Sequence, residues 1–247
     1  MELTSLILLF IVGTTAGFIN VMAGGGSSIV LPVLIFLGLD ASVANGTNRV
    51  AIFIQNVSAI ISFKKEKISN FGLSLKIGVF ALPGAVAGAI IATKISNQLF
   101  ETILAVVMIG IVITMLIPKS KKDYSVEIIK KTPFLIYPAM FLIGFYGGFI
   151  QVGVGFLLMA ALHHILKLNL LNVNMHKVFI VFLYTIPALS IFIFTGNIDW
   201  LIGIILACGN AFGAWWAAKL AVKKGDKVIR IILAVVVTLM AVKLFFN

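Results

Sequence analysis

Residues 84–107 return, in altered form, in the second half of the chain. Gly84-Ala-Val-Ala-Gly88-Ala-Ile-Ile-Ala-Thr-Lys94 is followed by Ile103-Leu-Ala-Val-Val107, and Gly209-Asn-Ala-Phe-Gly213-Ala-Trp-Trp-Ala-Ala-Lys219 is followed by Ile232-Leu-Ala-Val-Val236. The matches lie 125 positions (Gly84 to Gly209) and 129 positions (Ile103 to Ile232) apart and keep their order. One module is therefore used twice, over residues 1–118 and 133–247, on either side of a short basic stretch, Lys119–Thr132.

Composition decides the solvent of that module. The chain is 61% hydrophobic and 11% charged, where soluble domains run near 45–50% apolar and about 25% charged. A mean hydropathy of +1.17 leaves too much apolar surface for a soluble fold of this length. The net charge of +11 would suit a nucleic-acid partner, but the basic residues fall in short loops between apolar runs, which excludes that reading. The single cysteine, Cys208, cannot form an intramolecular disulfide and reads as a small buried hydrophobe.

Ten apolar segments follow from a pass along the chain: Leu3–Met22, Ser27–Leu39, Ala41–Phe63, Leu73–Thr93 and Gln98–Pro118, then Pro133–Ile150, Val154–Leu168, Leu171–Thr195, Ile198–Val222 and Lys227–Phe246. A bilayer span needs about 20 residues. The second segment of each half is shorter, 13 residues in Ser27–Leu39 and 15 in Val154–Leu168, and each follows a glycine-rich break. These two are expected to be half-helices or re-entrant segments. The fold class expected is an all-α integral membrane protein of eight to ten transmembrane helices, with no soluble domain.

Charge placement orients the segments. Lys64, Lys65 and Lys67, the cluster Lys119 to Lys131, and the cluster Lys219 to Arg230 form three basic regions. With these inside, the loops near Asp40, Lys94 and Asn197–Asp199 lie outside and are nearly free of lysine and arginine. The halves then have opposite topology, and both termini are expected on the extracytoplasmic side of the cell membrane. The N-terminus lacks the basic region of a signal peptide, and Glu2 is acidic. Inverted internal repeats are mostly found in secondary transporters, with the substrate site between the repeats near the bilayer midplane. The Gly84/Gly88 and Gly209/Gly213 pairs read as close helix packing, and Trp200, Trp215 and Trp216 as interfacial anchors.

The most polar stretches fall at matched places. Gly24-Gly25-Gly26-Ser27-Ser28 precedes one short segment and Gln151-Val-Gly153-Val-Gly155 the other. Asn45-Gly-Thr47-Asn48-Arg49 lies within the next segment of half one, and Asn172-Val-Asn-Met-His176-Lys177 opens that of half two. Arg49 and Lys177 differ by 128 positions, as do Gly25 and Gly153. A helix that starts after a glycine break offers free N–H groups and the positive end of its dipole, which suits an anion. One arginine and one lysine, each from one half, would complete an oxyanion pocket, the arginine gripping through two parallel hydrogen bonds. The expected substrate-binding set is Gly24, Gly25, Gly26, Ser27, Ser28, Thr47, Asn48, Arg49, Gln151, Gly153, Gly155, His176 and Lys177. The bland readings are that Arg49 snorkels to the interface, that the serines cap a helix, and that Gln55 and Asn56 glue helices together. His163, His164 and His176 lack the Asp or Glu companions of a metal site, no cofactor is implied, and no acidic residue falls at mid-membrane depth.

The stretch Gly17-Phe-Ile-Asn-Val-Met-Ala-Gly-Gly-Gly-Ser-Ser-Ile-Val-Leu-Pro32, with Gly38 and Ala44-Asn-Gly-Thr-Asn-Arg49 after it, resembles the sulfite exporter TauE/SafE family. Gly147-Gly-Phe-Ile-Gln-Val-Gly-Val-Gly155 is the weaker second-half counterpart. The resemblance implies an inner-membrane permease for sulfur-containing anions such as sulfite or organosulfonates. The expected function is a secondary transporter of small anions working by alternating access, its partners the anion, the lipid bilayer and, with the oligomeric state open, a further copy of itself. An anion channel and an intramembrane enzyme are the competing classes.

Overall fold

A computed structural model describes residues 3–68, 70–116 and 132–245. The linker expected over 119–132 falls outside the described residues up to position 131. Among the described residues the chain is all-helical: α1 (Leu3–Met22), α2 (Ser27–Phe36), α3 (Ala41–Lys65), α4 (Gly72–Gly78), α5 (Ala81–Ala92), α6 (Asn97–Leu116), α7 (Ile136–Phe149), α8 (Val154–His164), α9 (Leu170–Phe194) and α10 (Trp200–Phe245).

The helix starts and stops follow local chemistry. Asn169 caps α9, its side chain accepting from the Asn172 backbone N–H at 2.9 Å. Gly24 (φ 88°) and Gly153 (φ 70°) turn the chain through left-handed backbone at the two breaks, a conformation glycine takes without the Cβ clash of other residues. The short helices α2 and α8 have 10 and 11 residues, so at 1.5 Å per residue each reaches only about half of a ~30 Å hydrocarbon core.

One expected segment needs correction. The fourth segment, read as one run from Leu73 to Thr93, is a bent pair, α4 and α5 meeting at 50°. Pro83 stands in the first turn of α5, where its missing N–H is tolerated, but a continuous helix would need that N–H at Val79. The position that corresponds to Pro83, 125 residues on, is Cys208, and there α10 runs through unbroken. The ninth and tenth segments, expected to part between Val222 and Lys227, are two helical arms of α10 that meet at the non-helical Gly225 (φ 64°, ψ -163°).

By length and composition α1, the Trp200–Gly225 arm of α10 and α9 suffice to cross a membrane, and the α4–α5 pair would make a fourth span. With 25 residues α3 is long enough, but Asn45, Asn48, Arg49, Gln55 and Asn56 break its apolar character. All five are buried inside the protein, which is where polar side chains belong in a helix bundle surrounded by lipid.

Each half packs its first helix on the other half's fourth segment. Helix α1 lies along α10, and α7 along α5. Glycines make both contacts possible: a Cβ on Gly13 or Gly17 would strike the α10 backbone at Leu206 or Asn210, and one on Gly209 or Gly213 the α1 backbone at Phe10 or Thr14. In the second pair, Gly144 and Gly148 abut Ala81 and Ala85, while Gly84 and Gly88 abut Phe141 and Phe145. The Gly84/Gly88 and Gly209/Gly213 pairs thus have the packing role expected of them.

The apolar core forms two clusters. One gathers Phe63, Ile77, Ile136, Leu158, Leu162 and Ile229 with α8. The other gathers Leu34, Ala41, Phe100, Phe192, Ile202 and Leu206 with α2. Helix α3 passes from the second to the first between Ala51 and Ile52, and its buried polar side chains straddle that join.

Candidate functional site

The two glycine breaks meet. A Cβ on Gly24 would fall onto the backbone of Gly155 and Phe156, and one on Gly155 onto the backbone of Gly24. Gly25 lies under the Phe156 ring, and Gly26 against the Ala16 carbonyl and Asn20. The starts of α2 and α8 therefore cross at van der Waals distance, with no side chain between them. Ser28 Oγ donates to the Gly25 carbonyl and Ser27 is buried beside it, but no side chain caps the start of α2, so the capping reading of the two serines is not met.

The ends of α1 and α7 leave carbonyls short of helical donors, although the Gly24 N–H still reaches the Asn20 carbonyl at 2.9 Å. The two matched cations supply side-chain donors there, each to the opposite half. Arg49 Nη1 donates to the Gly147 carbonyl at 3.1 Å and to Gln151 Oε1 at 3.3 Å. Its Nη2 donates to the Gly148 carbonyl and, at 3.4 Å, to Asn45 Oδ1. Lys177 Nζ donates to the carbonyls of Asn20 at 3.0 Å and Val21 at 2.8 Å, and to Asn174 Oδ1 at 2.9 Å. A cation at a helix C-terminus also meets the negative end of the dipole. Arg49 is fully buried, with its guanidinium 4.7 Å from the centre of the Phe192 ring. The snorkelling alternative for Arg49 is thereby overturned.

Neither cation has a carboxylate partner among the described residues. Removing a charge from water without an opposite charge is costly, and carbonyl dipoles compensate only part of it. Arg49 Nε is buried with no hydrogen-bond partner. Among the described residues, then, no carboxylate offsets the two cations at the crossing.

A cavity of about 10 Å³ lies at this crossing, lined by Asn20, Gln55, Asn56, Gln151, Val154, Gly155, Lys177, Val178 and Val181. That is room for a single water at most. Four carboxamides face it, and three of them belong to residues outside the expected set: Asn20, Gln55 and Asn56. Asn20 and Asn210 both donate to Gln55 Oε1, at 3.2 and 3.4 Å. Their sequence signal was the helical spacing of Asn45, Arg49 and Asn56 along α3 and the correspondence of Gly17-Phe-Ile-Asn20 with Gly148-Phe-Ile-Gln151.

Other expected residues lie elsewhere. Thr47 Oγ1 accepts from the Asp199 N–H at 2.9 Å and so holds the start of α10. His176 Nδ1 lies 2.6 Å from Ser74 Oγ of α4, which places it between α9 and α4 rather than on the cavity. Asn48 is buried, and neither of its side-chain polar atoms has a partner. Gly153 forms the left-handed turn before α8 without lining the cavity.

A larger opening, about 440 Å³, lies near Lys67, Ile68, Asn70, Asn172 and Met175. Asn172 and Met175 continue, at helical spacing along α9, to Val178 and Val181 of the central cavity.

A helical bundle with apolar outer faces, buried cations that have no carboxylate partner among the described residues, and two broken helices crossing at its centre is the architecture of a polytopic membrane transporter. The family model for the sulfite exporter TauE/SafE matches residues 9–244, and the chain belongs to that family. It is similar to a probable membrane transporter protein of Sinorhizobium sp (ORF9), 28% identical, over 97% of this chain and 92% of the relative. A probable membrane transporter protein of Haemophilus influenzae is 27% identical, over 98% of this chain and 95% of its own, and YunE of Bacillus subtilis, also a probable membrane transporter protein, is 23% identical over 98% of both. No solved structure matches. The protein is thus a multi-pass membrane transporter.

Proposed function

We propose that this transporter moves small sulfur-containing anions, of the sulfite or organosulfonate class, across the cytoplasmic membrane by alternating access. One observation supports it above others: Arg49 and Lys177, one from each half, are buried at the crossing of the broken helices, with no carboxylate partner among the described residues. An anion entering between the halves supplies the missing charge. In this reading the substrate-binding residues are the glycine breaks at 24–26 and 153–155, Ser27, Ser28, Gln151 and the two cations, with Thr47, Asn48 and His176 acting in support. The halves have inverted topology, both termini are extracytoplasmic, and the work is transport rather than catalysis. The central cavity, about 10 Å³, is too small to admit such an anion without movement of the side chains that line it.

The test is uptake and efflux of sulfite, sulfate, thiosulfate and sulfoacetate in proteoliposomes of the purified protein. Saturable flux with counter-transport stimulated by the same anion on the opposite side is expected. Flux that rises linearly with concentration and carries steady current would make the protein a channel, and absence of flux for all four anions would remove the substrate class.

A further inference from the structure

Two residues at the second helix break have left-handed backbone. One is Gly153, as a tight turn requires; the other is Gln151, with φ 63°. Left-handed backbone is unfavourable for a side chain such as glutamine, and glycine would relieve it. What glycine would lose is a side chain engaged at both ends: Oε1 accepts from Arg49 Nη1 at 3.3 Å, and Nε2 donates to the Tyr184 hydroxyl at 3.3 Å. The side chain is 1% exposed and lines the central cavity.

The acceptors around Arg49 differ in kind. Gly147 O and Gly148 O belong to the end of α7 and cannot withdraw without unwinding it. Asn45 is one turn away on the same helix as Arg49 and does not line the cavity. Gln151 Oε1 is the acceptor on a movable side chain that also faces the cavity, and at 3.3 Å its bond is long for the interaction. It is neutral, so it satisfies the guanidinium without cancelling its charge.

We propose that Gln151 is the specificity-determining residue of the central site: its carboxamide oxygen holds on Arg49 the place that a substrate oxyanion oxygen takes. This rests on the anion-transport reading above. Entry of the anion displaces a weak neutral acceptor by a charged one, which charge-assisted hydrogen bonding favours. A glutamate at 151 would occupy the place permanently and exclude the substrate. A glycine would leave it vacant.

The test compares Q151E and Q151G with wild type for radiolabelled sulfite uptake in proteoliposomes. Each variant is normalised to wild type at the same pH, so that titration of sulfite itself cancels. Q151E is expected to raise KM about tenfold or more, a loss of charge-assisted binding, while its melting temperature in detergent stays at or above that of wild type. Q151G is expected to lower KM for sulfite, since no acceptor then competes for Arg49, and to admit bulkier organosulfonates. A general packing role would move KM and melting temperature the same way in both variants, and that result overturns the proposal. So does a Q151E protein with wild-type KM. Failure of the transport reading is separately visible, since wild type itself would then show no saturable sulfite uptake, and the proposal would fall with it.

Discussion

Gly24 and Gly155 stand back to back, each occupying the space in which the other's Cβ would lie. Their contact brings the start of α2 and the start of α8 together, and it leaves a small void at the centre of the polar region to the carboxamides around it.

Gly24→Ala and Gly155→Ala should therefore each lower the melting temperature and abolish most transport. Backbone would have to move in both cases, which typically costs about 1–3 kcal/mol, and alanine at the left-handed Gly24 adds about 1–2 kcal/mol. Gly110→Ala, where a Cβ meets nothing within 4 Å, is the control and should melt as wild type does. Thermal unfolding in detergent reads all three, and equal melting of Gly24→Ala and Gly110→Ala would contradict the crossing.

The reciprocal caps predict matched damage. Arg49→Ala leaves the Gly147 and Gly148 carbonyls without their side-chain donor, and Lys177→Ala does the same to Asn20 and Val21. Each should lower stability by roughly 1–3 kcal/mol and weaken anion uptake by roughly 10- to 150-fold. Arg49→Lys should recover only part of the loss, since an ammonium lacks the planar fork that spans two adjacent carbonyls. Unchanged apparent affinity in a folded Arg49→Ala protein would leave the cation a helix cap and nothing more.

The exchanged packing of first helices predicts equivalent sensitivity in the two halves. Gly17→Val pushes α1 off α10 at Asn210, and Gly148→Val pushes α7 off α5 at Ala85. Both should unfold at clearly lower temperature than wild type, by comparable amounts. A large effect in one and none in the other would mean that the two contacts are not equivalent.

Topology is checked by labelling. A cysteine added after Asn247 in a Cys208→Ala background should react with an impermeant maleimide in whole cells, as should one placed before Leu3. Labelling only after permeabilisation would reverse the orientation, and labelling of one terminus alone would exclude opposed halves.

Much of this was legible in the sequence. The short helices, their glycine breaks and the matched cations stand out because each departs from an otherwise apolar run. The bend between α4 and α5 also had its signal in Gly78 and Pro83, yet both residues occur within intact membrane helices often enough that periodicity alone does not place a break. The partners of Arg49 and Lys177 were not legible. Each reaches backbone carbonyls about a hundred or more positions away, and a carbonyl has no residue identity for a pattern to reveal. Asn20 was hidden for a related reason: its lining role depends on α1 ending where it does, beside a break contributed by the other half.

The pairing of α1 with α10 has a consequence for biosynthesis. Helix α1 leaves the ribosome long before α10, so the face bearing Gly13 and Gly17 has no mate until residues 200–225 have been made. During that interval the notched face must lie against lipid or against the insertion machinery. Helices α5 and α7, separated in the chain by α6 and the linker, close the other seam much earlier. The molecule is thus sealed along one side while still open along the other, and a ribosome that stalls between the two events leaves a half-zipped bundle whose exposed groove is cut for a helix it does not yet possess.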